Sequence, residues 1–271
     1  MPTGNPLLGG ESFNIAGGMI LEILLLLTGA LLTGVIKGSV GLGSGILPVT
    51  VLSIFLPPDQ VVVLLYPVML TTTLFSLVPN WKKWNTTMLK ILLPSSILGS
   101  WLGVLLLVAI TNNVLRITVG ALALLFVINE YFKTRKSNSE NEKSKKKGWV
   151  FYAVAIIIGF CGGVMSSLIH SGGLIFSMFL LRLNLSNKSF VATLVALMAV
   201  NDLVKGLFYG QAQLIDLSSI ALLIGIVILG IIGVAGGNWI QKFISVKHFR
   251  LIILTVLTIS GSSLFFSGMS F

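Results

Sequence analysis

Ten apolar runs, five on either side of one polar segment, set the first limit on what this chain can fold into. They fall at residues 15–37, 45–56, 61–79, 88–110 and 114–132, and again at 149–169, 172–181, 189–209, 214–239 and 249–271. A helix crossing the hydrocarbon core of a bilayer needs about 20 residues. Eight runs meet that length. The second of each set does not, because about 12 residues make roughly 18 Å of helix. With 55% hydrophobic and 10% charged residues, the chain lies outside the soluble globular range. It reads as an all-α integral membrane protein with no soluble domain. Residues 1–18 carry no Lys or Arg, so the basic start of a cleaved signal is missing, and the run after Met19 reads as a retained first helix.

The polar segment 133–148, KTRKSNSENEKSKKKG, is the one clear boundary: a solvated, flexible charge run between a first unit at 19–132 and a second at 149–271. The two units look like copies. Gly34 and Gly38 match Gly159 and Gly163, Gly45 and Asp59 match Gly173 and Asn187, and Gly99, Gly103 and Arg116 match Gly233, Gly237 and Arg250. Their order is kept while the offset drifts through small insertions, as in a duplicated transporter-like architecture. An odd number of segments per copy inverts the second against the first. The expected fold is therefore two inverted-topology repeats, each with about four spanning helices and a short broken, re-entrant hairpin.

Orientation follows from Lys and Arg, which favour the cytoplasmic side. Placing the linker inside puts fifteen of the eighteen basic residues there, with only Lys37, Arg116 and Lys205 left over. Both termini then lie outside, in the cytoplasmic membrane of a prokaryotic cell. The net charge of +10 is mostly this topology signal and a surface facing anionic lipid; no aromatic-basic motif accompanies it, so nucleic acid is not an expected partner. The lone Cys161 forms no intrachain disulfide, and two histidines without a carboxylate or thiol cluster give no metal signature. No metal or cofactor is expected. The expected partners are a small anion and lipid, with homo-oligomerisation left open.

Inside the first apolar set, GSVGLGSGILP at residues 38–48 carries four glycines, two serines and a proline. Glycine costs about 1 kcal/mol and proline about 3 in a helix interior, so the backbone breaks. Irregular backbone at membrane depth is tolerated only where it is buried in protein or lines a polar cavity. The tract and its counterpart SSLIHSGG at residues 166–173 read as two tips entering from opposite faces. Peptide N–H groups of the short helices beginning near Gly45 and Gly172 would then point into one cavity, where helix N-termini favour anions.

GVIKGSVGLGSGILPVTV, GFCGGVMSSLIHSGGLIFSMFL and SNKSFVATLVALMAVNDLVKGLFYG together resemble the TauE/SafE family of sulfite exporters, also called the sulfonate uptake permeases. With the two-copy plan the resemblance covers nearly all of residues 19–271. It implies secondary transport of small sulfur-containing anions such as sulfite, sulfonates or sulfoacetate, without catalysed chemistry. Here the tips depart from the family's usual glycine triplet, with Ser44 inside the first and His170 and Ser171 before Gly172 and Gly173 in the second.

The candidate substrate residues are Lys37, Gly41, Gly43, Ser44, Gly45, Ser167, His170, Ser171, Gly172, Gly173, Asn201 and Lys205, with Asp202 and His170 as coupling candidates. Each also has a structural reading. Lys37 neutralises an anion or snorkels to water. His170 contacts substrate, carries a proton or satisfies broken backbone. The serines donate to sulfonate oxygens or cap helices. Asp202 and Lys205, three residues apart, are close enough to pair on one helix face. Thr71, Thr72 and Thr73 fall on the equivalent helix of the first copy and are expected to back-bond to the preceding turn. Trp81, Trp84, Trp149 and Tyr131 read as interfacial anchors. Two other classes share these features: an anion channel with the same electropositive constriction, and an intramembrane serine hydrolase using Ser44 with His170 as base.

Overall fold

The computed structural model describes residues 17–39, 45–135, 148–183, 185–214, 220–240 and 246–269, and among these every regular element is helical. Before the linker come α1 (Gly17–Ser39), α2 (Ile46–Leu52), α3 (Pro58–Leu77), α4 (Thr86–Ala109) and α5 (Asn112–Arg135). After it come α6 (Trp149–Ile169), α7 (Gly172–Leu180), α8 (Asn187–Gln211), α9 (Ile220–Ile240) and α10 (Val246–Met269). In both sets the second helix is short. Asp59 and Asn187, matched in the sequence, both lie in the first turn of the long helix that follows it.

Local chemistry sets several ends. Pro58 opens α3 at a position whose N–H would be orphaned anyway. Asn85 caps α4, its side-chain oxygen accepting the Met88 N–H at 3.1 Å, and Ser186 caps α8 by accepting the Ser189 N–H at 3.3 Å. The short helices are shorter than expected, at seven and nine residues, which is roughly 10 and 13 Å. α2 ends in ragged turns, with Phe55 and Leu56 both donating back to the Leu52 carbonyl. Pro57 and Pro58 then start the next helix, so the apolar run outlasts the helix. α5 shows the reverse, continuing to Arg135 beyond the apolar edge at 132.

Among the described residues, five helical stretches are long and apolar enough to cross a membrane: Pro58–Asn80, Thr86–Ala109, Trp149–Ile169, Asn187–Gln211 and Leu251–Met269. Ile23–Gly38, Asn112–Ile128 and Leu223–Gly237 are shorter apolar stretches within α1, α5 and α9. Helices of the first set pack on helices of the second: α1 on α9, α4 on α6, α5 on α10 and α3 on α8. Apolar area gives little drive between helices in lipid, so such contacts depend on close backbone approach at small residues. Gly34 meets the Gly233 backbone across α1–α9, and Gly163 meets the Ser96 and Ser100 backbone across α4–α6. Large apolar side chains such as Leu98, Ile157, Ile232 and Ile259 face outward. Trp81 and Trp84 pack edge-on at 5.4 Å where α3 turns into α4.

Candidate functional site

The site begins where α6 stops. His170 follows Ile169 with φ 53° and ψ 24°, in the left-handed region, and after Ser171 the chain enters α7 at Gly172. The N–H groups of His170 and Ser171 return to the Ser166 and Met165 carbonyls at 3.1 and 3.2 Å. A left-handed residue with a side chain costs about 1–2 kcal/mol, and the histidine ring offsets this with two buried contacts. Its Nε2 lies 2.7 Å from the Val62 carbonyl of α3, and its Nδ1 lies 2.9 Å from Lys205 Nζ of α8. A carbonyl only accepts and an ammonium only donates, so Nε2 carries the proton, Nδ1 presents its lone pair, and the ring is neutral. With both nitrogens engaged, the ring has none left to serve Ser44 as a base.

The first break, at 40–44, lies outside the described residues, and with it the expected contributions of Gly41, Gly43 and Ser44. Its far side is Gly45, and there the two breaks touch. A Cβ on Gly45 would overlap the His170 carbonyl oxygen and stand 2.5 Å from the His170 Cβ. Gly45 itself has φ −89° and ψ −40°, so it is glycine for close approach; the left-handed backbone of this junction is that of His170. Likewise a Cβ on Gly172 would run into the Gly162 carbonyl, and one on Gly173 would sit 2.8 Å from Met198 Sδ. These glycines make helix-to-helix contacts.

Beside this junction runs a buried chain of charge. Lys205 is fully buried, and its ammonium donates to Asp202 Oδ1 at 2.9 Å, to His170 Nδ1 at 2.9 Å and to the Ser166 carbonyl at 3.3 Å. It also lies 5.6 Å from the centre of the Tyr66 ring, a cation–π distance. The other carboxylate oxygen, Asp202 Oδ2, accepts from Thr73 Oγ1 at 2.8 Å. Thr73 in turn receives Lys37 Nζ at 2.6 Å, and the same ammonium reaches Thr72 Oγ1 at 2.8 Å and the Met69 carbonyl at 3.2 Å. Two cations from α1 and α8 therefore flank one carboxylate, joined by a threonine hydroxyl. Tyr66 fixes α3 to α8 by donating to the Asp202 main-chain carbonyl at 3.0 Å, and Gly206 is small because the Tyr66 hydroxyl occupies the space a Cβ would take.

A neutral cluster continues this chain. Asn201 accepts from Ser100 at 2.8 Å and donates to Ser96 Oγ at 3.1 Å, tying α8 to α4. Ser167 donates to the Ser100 carbonyl at 3.0 Å, and Tyr209 donates to the Ser167 carbonyl at 2.7 Å.

The structure thus brings Lys37, His170, Asp202 and Lys205 into one network, with Asn201 and Ser167 in the adjoining one and Gly45 against His170. Ser171 is buried but its side chain does not cap α7. Thr71, Thr72 and Thr73 back-bond to Pro67, Val68 and Met69 as expected, and the last two also hold Lys37. Tyr66, Tyr209, Ser96 and Ser100 escaped sequence reasoning. A signal existed: Asn201, Lys205 and Tyr209 form an i, i+4, i+8 stripe, and Ser96 and Ser100 are one turn apart.

Helices broken beside buried ionisable groups, in an all-helical chain with apolar spans, define a multi-pass membrane transporter. The chain belongs to the sulfite exporter TauE/SafE family, whose family model matches residues 25–264 and so takes in both sets of helices and both breaks. No curated protein and no solved structure matches it significantly.

Proposed function

We propose that this protein is a secondary carrier of small sulfur-containing anions, of the sulfite, sulfonate or sulfoacetate type, across the cytoplasmic membrane. The observation that carries this reading is Lys37. All its hydrogen bonds go to neutral acceptors, Thr72, Thr73 and the Met69 carbonyl, and no carboxylate among the described residues lies within ion-pair distance of it. An ammonium in the bundle interior without its own counter-ion is costly, and an anionic solute removes that cost. One of its present acceptors also suits an exchange, since the hydroxyl of Thr72 can turn from the Val68 carbonyl of its own helix to donate to an incoming oxyanion.

In this reading the anion lies at the meeting of the two breaks. Gly45 lines one side, and Ser167, His170, Ser171, Gly172 and Gly173 the other, while Gly41, Gly43 and Ser44 belong to the proposed site by sequence and lie outside the described residues. Lys37 and Lys205 supply charge, and Asn201 extends the polar wall. Asp202 and His170 are the groups for coupling to a proton or sodium gradient. Alternating access follows from rocking the two sets of helices, as inverted copies, about this site. The reciprocal packing supports that plan: exchanging matched helices turns the α1–α9 contact into the α6–α4 contact.

Uptake into proteoliposomes of sulfite, thiosulfate, sulfonates and carboxylates, with and without a pH or sodium gradient, tests the proposal. Saturable, gradient-dependent uptake confined to the sulfur anions is expected. Uptake of carboxylates alone contradicts the substrate class, and a non-saturating current contradicts the carrier.

A further inference from the structure

The central network has a definite charge, and this deepens the carrier reading on which it rests. Lys37 and Lys205 are each positive, Asp202 is negative, and His170 is neutral because its Nδ1 receives the Lys205 ammonium while its Nε2–H faces the Val62 carbonyl. Among the described residues, the remaining titratable side chains turned toward Asp202 and its partners are the phenols Tyr66 of α3 and Tyr209 of α8. Both are hydroxyl donors to main-chain carbonyls and therefore neutral. The sum is one positive charge, in a bundle where each uncompensated charge is expensive.

We infer that this network selects its solute by charge: it is built to take one negative charge, and Asp202 is the residue that sets the number. A singly charged sulfonate neutralises Lys37, Lys205 and Asp202 taken together. A doubly charged anion leaves one negative charge over unless a proton enters with it. Asp202 is then the acceptor: it is the carboxylate of the network, and a second negative charge brought beside it opposes the Lys205 ammonium and the Thr73 hydroxyl that hold it ionised, so that the protonated acid can donate toward either Thr73 or the solute. Monoanions thus move alone and dianions move with one proton. The geometry behind this is the bridging of a single carboxylate between two lysines of different helices, one held directly and one through a hydroxyl.

Three sulfonates that share a head group but differ in charge provide the test: taurine, a zwitterion with no net charge; methanesulfonate, with one negative charge; and sulfoacetate, with two. Competition against the best-transported anion in proteoliposomes should rank methanesulfonate first for the wild-type protein, with sulfoacetate entry acidifying the lumen and methanesulfonate entry not doing so. Asp202→Asn raises the network to two positive charges. It should move the preference to sulfoacetate by about tenfold or more, since like-charge juxtaposition costs several kcal/mol, and it should abolish the accompanying acidification. Lys37→Gln lowers the network to zero and should favour taurine. It serves as the second arm should Asp202→Asn fail to insert, as judged by gel filtration, while Asp202→Glu should keep the wild-type order. An unchanged ranking in whichever charge variants insert overturns the inference while the carrier stands. Wild-type protein inert toward all three sulfonates and toward sulfite and thiosulfate sinks the carrier reading itself.

Discussion

Lys205 Nζ sits 2.9 Å from His170 Nδ1 and 2.9 Å from Asp202 Oδ1, so one ammonium from α8 holds both the left-handed turn that ends α6 and the carboxylate that reaches α3 through Thr73. The break in the backbone and the charge network are therefore a single structural unit. A change in either is transmitted to the other.

Removing the ammonium should be costly to folding. Lys205→Met leaves the Asp202 carboxylate buried without its direct counter-ion, and breaking such a pair typically costs about 3–5 kcal/mol. The double variant Asp202→Asn/Lys205→Met removes the stranded charge and should recover most of the loss. Thermal unfolding of the four proteins of this cycle in detergent measures it; a double variant no more stable than Lys205→Met refutes the pairing.

His170 is required for its ring and tolerated in its backbone. His170→Ala loses both ring contacts and keeps the left-handed penalty, whereas His170→Gly loses only the contacts. The glycine variant should be more stable than the alanine variant by about 1–2 kcal/mol. Equal midpoints in thermal melts would mean that the turn relaxes out of the left-handed region once the ring is gone.

Gly45 should not accept even one added methyl group. Gly45→Ala drives a Cβ into the His170 carbonyl, while Gly236 of α9 has nothing within 4 Å of the added atom. The first change should reduce yield and monodispersity. Gly236→Ala should be neutral or stabilising by up to about 1 kcal/mol, the helix preference of alanine over glycine. Gel filtration after detergent extraction reads both, and a well-behaved Gly45→Ala protein would show that the breaks separate freely.

Topology is open to labelling. With Cys161 replaced by Ala, a cysteine at Ser270 should react with an impermeant thiol reagent added to intact cells, and one at Ser139 in the linker should react only after permeabilisation. The reverse pattern contradicts the inverted arrangement with the linker inside.

The helical plan was readable because ten apolar runs leave a membrane chain few alternatives, and the prolines at 57 and 58, Asn85 and Ser186 mark helix starts in the sequence itself. The Asp202–Lys205 pair was readable from its three-residue spacing. Other features depend on partners that local pattern does not encode. Thr72 and Thr73 look like ordinary back-bonding threonines until Lys37, some thirty-five residues earlier, is packed against them. Gly45, Gly172 and Gly173 mark breaks in the backbone and read as substrate candidates, yet what lies across the contact from them is His170, Gly162 and Met198. The hydroxyl of Tyr66 gave no sign, because an aromatic residue in an apolar helix normally only fills space, and that of Tyr209 showed only in its stripe with Asn201 and Lys205.

The central claim, that Lys37 meets a sulfur anion carried by alternating access, is tested most directly by counterflow of radiolabelled sulfite into proteoliposomes preloaded with unlabelled sulfite. The account predicts transient accumulation of label above equilibrium, because a carrier exchanges solute across a closed barrier. With Lys37→Ala, half-saturation should shift upward by about tenfold to a hundredfold, equivalent to the roughly 1.5–3 kcal/mol of a charge-assisted contact. Label that only equilibrates, or a Lys37→Ala protein with wild-type half-saturation, would contradict it.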